Sequence, residues 1–114
     1  VNPIYKILNA AEWDAARAVG VYAGSAVDRA DGFIHFSTAG QARETARRHF
    51  SGQGDLVLLT VDADLIQGAL RWEPSRGGDL FPHLYGELPV SAVARSRSAP
   101  LDSSGVPMLG ELDD

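Results

Sequence analysis

The sequence contains no cysteine, which excludes disulfides, thiolate catalysis and every cysteine-ligated zinc or iron–sulfur site. Long apolar runs are missing too. The longest, Leu56-Val57-Leu58-Leu59, is the size of a strand and far short of the ~20 residues of a membrane span. No basic amphipathic segment with a bulky apolar face is present, so no membrane-surface role is expected. The opening Val1-Asn2-Pro3-Ile4 lacks the basic patch and apolar stretch of a signal peptide, and a cytoplasmic location is the expectation. Basic residues are in short supply. Only Arg43, Arg47 and Arg48 with His49 cluster, which is too little for the basic stripe of a nucleic-acid binder. The net charge of −5 lies mostly at the end of the chain, where residues 102–114 hold four acids and no base. The rest is nearly neutral.

With 114 residues, 45% of them hydrophobic and 22% charged, the chain is expected to form one domain, since two would each be too small to hold a core. The body, 1–98, is read as a single domain. Residues 99–114 are Ser-, Gly-, Pro- and Asp-rich and are expected to form a loosely ordered acidic tail or one laid on the surface.

Ile4 to Leu8 reads as a first strand, β-formers with a single charge at Lys6. Asn9 followed by Glu12 predicts a capped helix to about Val19, with Trp13 as core anchor and Gly20 beyond its end. Residues 21–32 read as a loop. Phe33 to Phe36 reads as a short strand, and Thr38 with Gln41 as the capping box of a helix over 39–50. Asp55 to Asp62, with no alternation, predicts a strand buried on both faces. A helical turn over 63–67, a strand over 70–73, a loop over 74–82 and extended pieces over 83–88 and 90–96 complete the pattern. Helices early and strands late give an α+β class, in which a mixed sheet with some parallel pairing is allowed.

Chemistry is confined to a few residues. His35 alternates with Ile34 and Phe36, so His35 and Ser37 share the face opposite the apolar pair and look into a cleft or solvent. His83 lies in Phe81-Pro82-His83-Leu84-Tyr85-Gly86, where Pro82 and Gly86 shape the backbone that presents His83 and Tyr85. Arg71 and Glu73 share one strand face and Trp72 takes the other. Arg71 and Arg76 are expected to keep Glu73 ionised for charge stabilisation or proton transfer. His35, His83 and Asp31 make a two-His, one-carboxylate set by residue type but follow no spaced ligand motif, so no metal is expected.

Taken in order, Ile4-Tyr5-Lys6-Ile7-Leu8, Trp13, Asp28, Asp31-Gly32-Phe33-Ile34-His35-Phe36-Ser37, Leu70-Arg71-Trp72-Glu73 and Phe81-Pro82-His83-Leu84-Tyr85-Gly86 resemble the small bacterial family termed domain of unknown function 952, over residues 4 to 96. The resemblance implies a fold similar to the ADP-ribosyltransferases: a mixed, split β-sheet with two main helices in the N-terminal half and a dinucleotide cleft between the sheet halves. It further implies NAD or another nucleotide as ligand. By residue type it assigns Glu73, His83 and His35 to catalysis and Asp31, Ser37, Arg71, Trp72 and Tyr85 to ligand binding. Lys6 stands where that fold usually carries a first-strand His or Arg. The alternative is a binding or interaction module that keeps the fold without transferase chemistry.

Overall fold

The computed structural model describes residues 2–75 and 77–112. Eight strands and three helices follow one another as β1 (Pro3–Asn9), α1 (Ala10–Val19), β2 (Val21–Tyr22), α2 (Ala26–Asp31), β3 (Ile34–His35), α3 (Ala39–Phe50), β4 (Leu56–Asp62), β5 (Leu70–Ser75), β6 (Asp79–Leu84), β7 (Leu88–Pro89) and β8 (Val93–Ser98). Short 3-10 turns over Ala63–Leu65 and Val90–Ala92 lead toward β5 and β8. Among the described residues no helix is long and apolar enough to cross a membrane.

Two three-stranded sheets, β1-β4-β8 and β3-β6-β5, form the frame, with β2 and β7 as a separate pair. The unbroken apolar run of β4 is explained by its central place, with β1 on one side and β8 on the other. The two large sheets meet at one point, where the Tyr5 amide donates to the Ser37 carbonyl at 2.7 Å and the Ser37 amide returns a bond to Tyr5 at 2.9 Å. Beyond that bridge β1 and β3 part. Because Tyr5 uses both backbone groups on Ser37, the two-residue alternation of an antiparallel ladder turns the Ile7 amide and carbonyl toward the same parting.

The α+β class is thus seen, with two corrections. Every strand pairing among the described residues is antiparallel, so the sheet is split but not mixed. The reason is that α1 returns the chain to a two-residue strand paired with β7, not to a parallel neighbour of β1. A third helix, α2, also fills part of the segment expected to be a loop. Ser25 caps it by accepting from the Asp28 amide at 3.1 Å while Asp28 accepts from the Ser25 amide at 3.0 Å, and six residues are too few to show a helical period. The longer helices keep their expected limits. Asn9 accepts from the Ala11 amide, Gly20 closes α1 at φ 100°, and Gln41 accepts from the Thr38 amide at the start of α3.

The expected loop over 74–82 instead contains a hairpin turn. Pro74 and Ser75 pair with Leu80 and Asp79, and Pro74 is tolerated because β5 is an edge strand. Part of residues 99–112 packs onto the body. Ala99 and Leu109 are each 2% exposed and join Tyr5, Ile7, Ala42 and Ala46 in a second core between β1 and α3. The Gly110 carbonyl accepts from Arg43 at 2.6 Å. Two well-spaced apolar residues suffice to pin a polar segment, and composition averages them away.

Candidate functional site

β3 and β6 run side by side, and their register sets His35 directly opposite His83. The two rings meet edge to face with centroids 5.5 Å apart. Each imidazole has a carboxylate at Nδ1. His83 Nδ1 is 2.8 Å from Glu73 Oε1, and His35 Nδ1 is 2.6 Å from Asp28 Oδ1. A carboxylate only accepts, so each ring places its Nδ1–H there, which orients the ring and fixes the role of Nε2.

Glu73 reaches His83 from the edge strand. It pairs in register with Phe81, diagonal to His83, on the face opposite Trp72. The Tyr85 hydroxyl donates to the same Glu73 oxygen at 2.7 Å, and the Arg71 guanidinium lies over the Tyr85 ring at 5.7 Å. Hydrogen bonds from Tyr85 and then His83 hold the Glu73 carboxyl below its usual range, with Arg71 a smaller influence. The expectation that Arg71 and Arg76 keep Glu73 ionised thus names the lesser cause, and Arg76 lies outside the described residues. The same Glu73 bond raises the Tyr85 phenol above its ordinary value.

Asp28 is the hub on the other side. It is 2% exposed and accepts from Lys6 Nζ at 2.8 and 3.1 Å, from the Ser25 amide at 3.0 Å, and from His35 through both its amide at 3.1 Å and its ring. Burial pushes its carboxyl up, but the bonds from His35, Lys6 and Ser25 outweigh burial and hold it well below the usual carboxylate range. Gly24 makes room for this. At φ 106°, a Cβ there would lie 2.9 Å from the Asp28 Cβ. The second ring nitrogen of His35, Nε2, is 2.9 Å from Asp31 Oδ2, which also only accepts, so in this arrangement the His35 ring donates from both nitrogens.

A cleft of about 760 Å³ opens where β1 parts from β3, with Lys6, Asp28, Asp31, His35, Ser37 and His83 in its wall and Glu73, Tyr85 and Arg71 behind it. That volume is in the range of small-molecule sites. Among the described residues no set of three or more His, Asp or Glu side chains is arranged to hold a metal ion.

The structure therefore brings His35, His83, Glu73, Asp31 and Tyr85 together, with Arg71 behind Tyr85. Ser37 does face the cleft with His35, but it is buried and its hydroxyl is 3.0 Å from Thr45 Oγ1. Trp72 does not join them. It stands 43% exposed on the far face of the edge strand, as alternation demands. The aromatic ring at the site is Phe33, stacked on His83 with centroids 4.1 Å apart and tilted against His35 and Tyr85.

Phe33 is absent from the residues singled out by sequence, although its two-residue spacing from His35 puts both on one face. Lys6 was singled out only for its position on the first strand and Asp28 only as part of the resembling stretch, and neither was given a site role. The signal for them is a lone charge in an apolar strand, which must find a buried partner.

The chain belongs to the family of proteins of unknown function termed DUF952, whose profile matches residues 7–96. Its particular likeness is to protein CC0527 of Caulobacter crescentus. The crystal structure of CC0527 is 58% identical, covers 95% of both chains and superposes with a TM-score of 0.92. Its solution NMR structure is 57% identical with a TM-score of 0.86, covering 96% of this chain and 95% of that one. No curated protein matches the chain.

Proposed function

We propose that the cleft is a nucleotide site in which His83 is the proton-transfer group and Glu73 its positioning carboxylate. One observation carries this reading: the Nδ1–Glu73 contact at 2.8 Å on a ring that forms part of the cleft wall. With Nδ1–H given to Glu73, the neutral ring keeps its lone pair on Nε2, the arrangement a general base requires. Phe33 holds the plane of that ring by stacking. His35 and Ser37 supply the polar wall against which a nucleotide is held.

The ligand class rests on analogy of fold. Two antiparallel sheets that part beside the first strand are compatible with the ADP-ribosyltransferase-like plan, in which NAD lies in such a parting. Glu73 takes a different part here from the one the resemblance gives it. Its bonded oxygen serves His83 and Tyr85, and it is behind the cleft wall, so its effect on a ribose passes through His83.

NMR titration with NAD and ADP-ribose tests the site. Side-chain signals of His35 and His83 shift at millimolar ligand or below; no change at either ring overturns the reading. Nicotinamide release from NAD tests the chemistry. Glu73→Gln lowers it by about tenfold or more, as loss of an orienting carboxylate does elsewhere, with NAD affinity changed by less than about threefold. Binding without any release makes the protein a binding module of the same fold.

A further inference from the structure

We propose that the Asp31 carboxylate occupies an oxyanion subsite of the cleft, and that a phosphate oxygen of the ligand takes its place on His35 Nε2. This rests on the nucleotide reading for the identity of the ligand but not for the existence of the subsite.

Three observations carry it. The first is that His35 cannot follow Asp31 if Asp31 leaves. Its Nδ1 is tied to Asp28 at 2.6 Å and its amide to the same Asp28 oxygen at 3.1 Å, and Asp28 is itself 2% exposed and held by Lys6 and Ser25. The ring therefore keeps Nε2 aimed where it is, in the cleft wall. The second is a contrast in mobility of attachment. Asp31 is the exposed member of the network, its side chain 49% accessible, and it ends the six-residue α2 immediately before Gly32 at φ 89°. Rotation of one exposed side chain frees the position, since an exposed ion pair is weakly held.

The third is the charge that remains. With Asp31 turned away, the Lys6 ammonium and the Asp28 carboxylate offset one another across two hydrogen bonds. Among the described residues of the cleft wall, Glu12 beside Lys6 is then the one remaining acid that a cation does not already hold by a hydrogen bond. The contact at 2.9 Å shows that the position already accepts an oxygen bearing negative charge. A phosphate offers an oxygen of the same kind to that position. Asp31 thus sets affinity by competition: the apparent dissociation constant is the intrinsic one divided by the fraction of molecules in which Nε2 is free.

Calorimetry with ADP-ribose and with inorganic pyrophosphate, on wild type, Asp31→Asn, Asp31→Ala and Asp31→Ala/His35→Gln, tests this. Removing the Asp31 charge is expected to tighten both ligands by about threefold or more, and the added His35→Gln change to abolish the gain. An unchanged Phe33–His83 ring-contact signal in NMR shows that each variant keeps its site. Unchanged or weaker binding of both anions by the Asp31 variants overturns the proposal, as does a gain that survives loss of His35. If pyrophosphate gains and ADP-ribose does not bind at all, the subsite stands and the nucleotide reading falls.

Discussion

Lys6→Met is the sharpest probe of what holds the site in place. Met keeps the stem of the side chain and removes the ammonium, leaving the Asp28 carboxylate buried with acceptors for two vanished hydrogen bonds at 2.8 and 3.1 Å. Breaking a buried ion pair from one side costs about 3–5 kcal/mol, because the surviving charge is uncompensated. Against that stands a total stability of roughly 6–17 kcal/mol for 114 residues at typical values per residue. At about 2.1 cal/mol/K of unfolding entropy per residue, each kcal/mol moves the midpoint by ~4 °C, so the variant melts some 12–20 °C lower.

Urea unfolding followed through the fluorescence of Trp13, which is 6% exposed, reads the loss directly. Asp28→Asn keeps one oxygen, enough for the His35 donors on Oδ1 or the Ser25 amide on Oδ2 but not both, and the double variant Lys6→Met/Asp28→Asn no longer buries an unpaired charge. Its loss is therefore expected to fall short of the sum of the singles by about 1–3 kcal/mol, the coupling of groups in one network. A loss below ~1 kcal/mol for Lys6→Met would mean that the pair behaves as a solvated surface contact. The claim that Asp28 immobilises His35 would then fail with it.

Asp28 also predicts the acid limb of stability. Its native pKa lies below the unfolded value of about 3.9, so its contribution is complete above that value and is lost as pH falls through the native one. The advantage of wild type over Asp28→Asn in urea midpoint should shrink below about pH 4; an advantage equal at pH 3 and 7 contradicts the assignment. Leu109→Ala should cost about 2–5 kcal/mol by urea unfolding, since Leu109 is 2% exposed beside Ala42 and Ala46, and a cost near zero would mean that the last segment contributes nothing to the second core. Gly24→Ala should lower stability by more than ~1 kcal/mol and shift the His35 ring signals, because φ 106° disfavours a side chain and its Cβ would press on the Asp28 Cβ; unmoved His35 signals would separate Gly24 from the site.

How much of this was legible beforehand follows from the range of each interaction. Helices α1 and α3 were readable to about their observed limits because their caps are written locally, in the Asn9 side chain for α1 and in Thr38 with Gln41 for α3. The buried β4 was equally plain from its apolar run, and the shared face of His35 and Ser37 from two-residue alternation. The hairpin of β5 and β6 was hidden by Pro74, Pro82 and a pair of glycines that look like loop composition, whereas an edge position makes the first proline harmless.

The sequence by itself determined the α+β class, the family and the short list of polar residues from which a site must be built, because propensity, capping and patterning act between near neighbours. Only the tertiary structure decided which of those residues meet. The register of β3 on β6 set one imidazole opposite the other, the edge strand brought Glu73 to the second, and the closing of α2 against β1 joined Lys6 to Asp28 across 22 residues. Trp72 was excluded by the pairing of β5 with β6, and Phe33 was admitted by its stacking on His83. Such contacts are fixed by how sheets register and by the cost of an unpaired buried charge, and both depend on segments far apart in the chain.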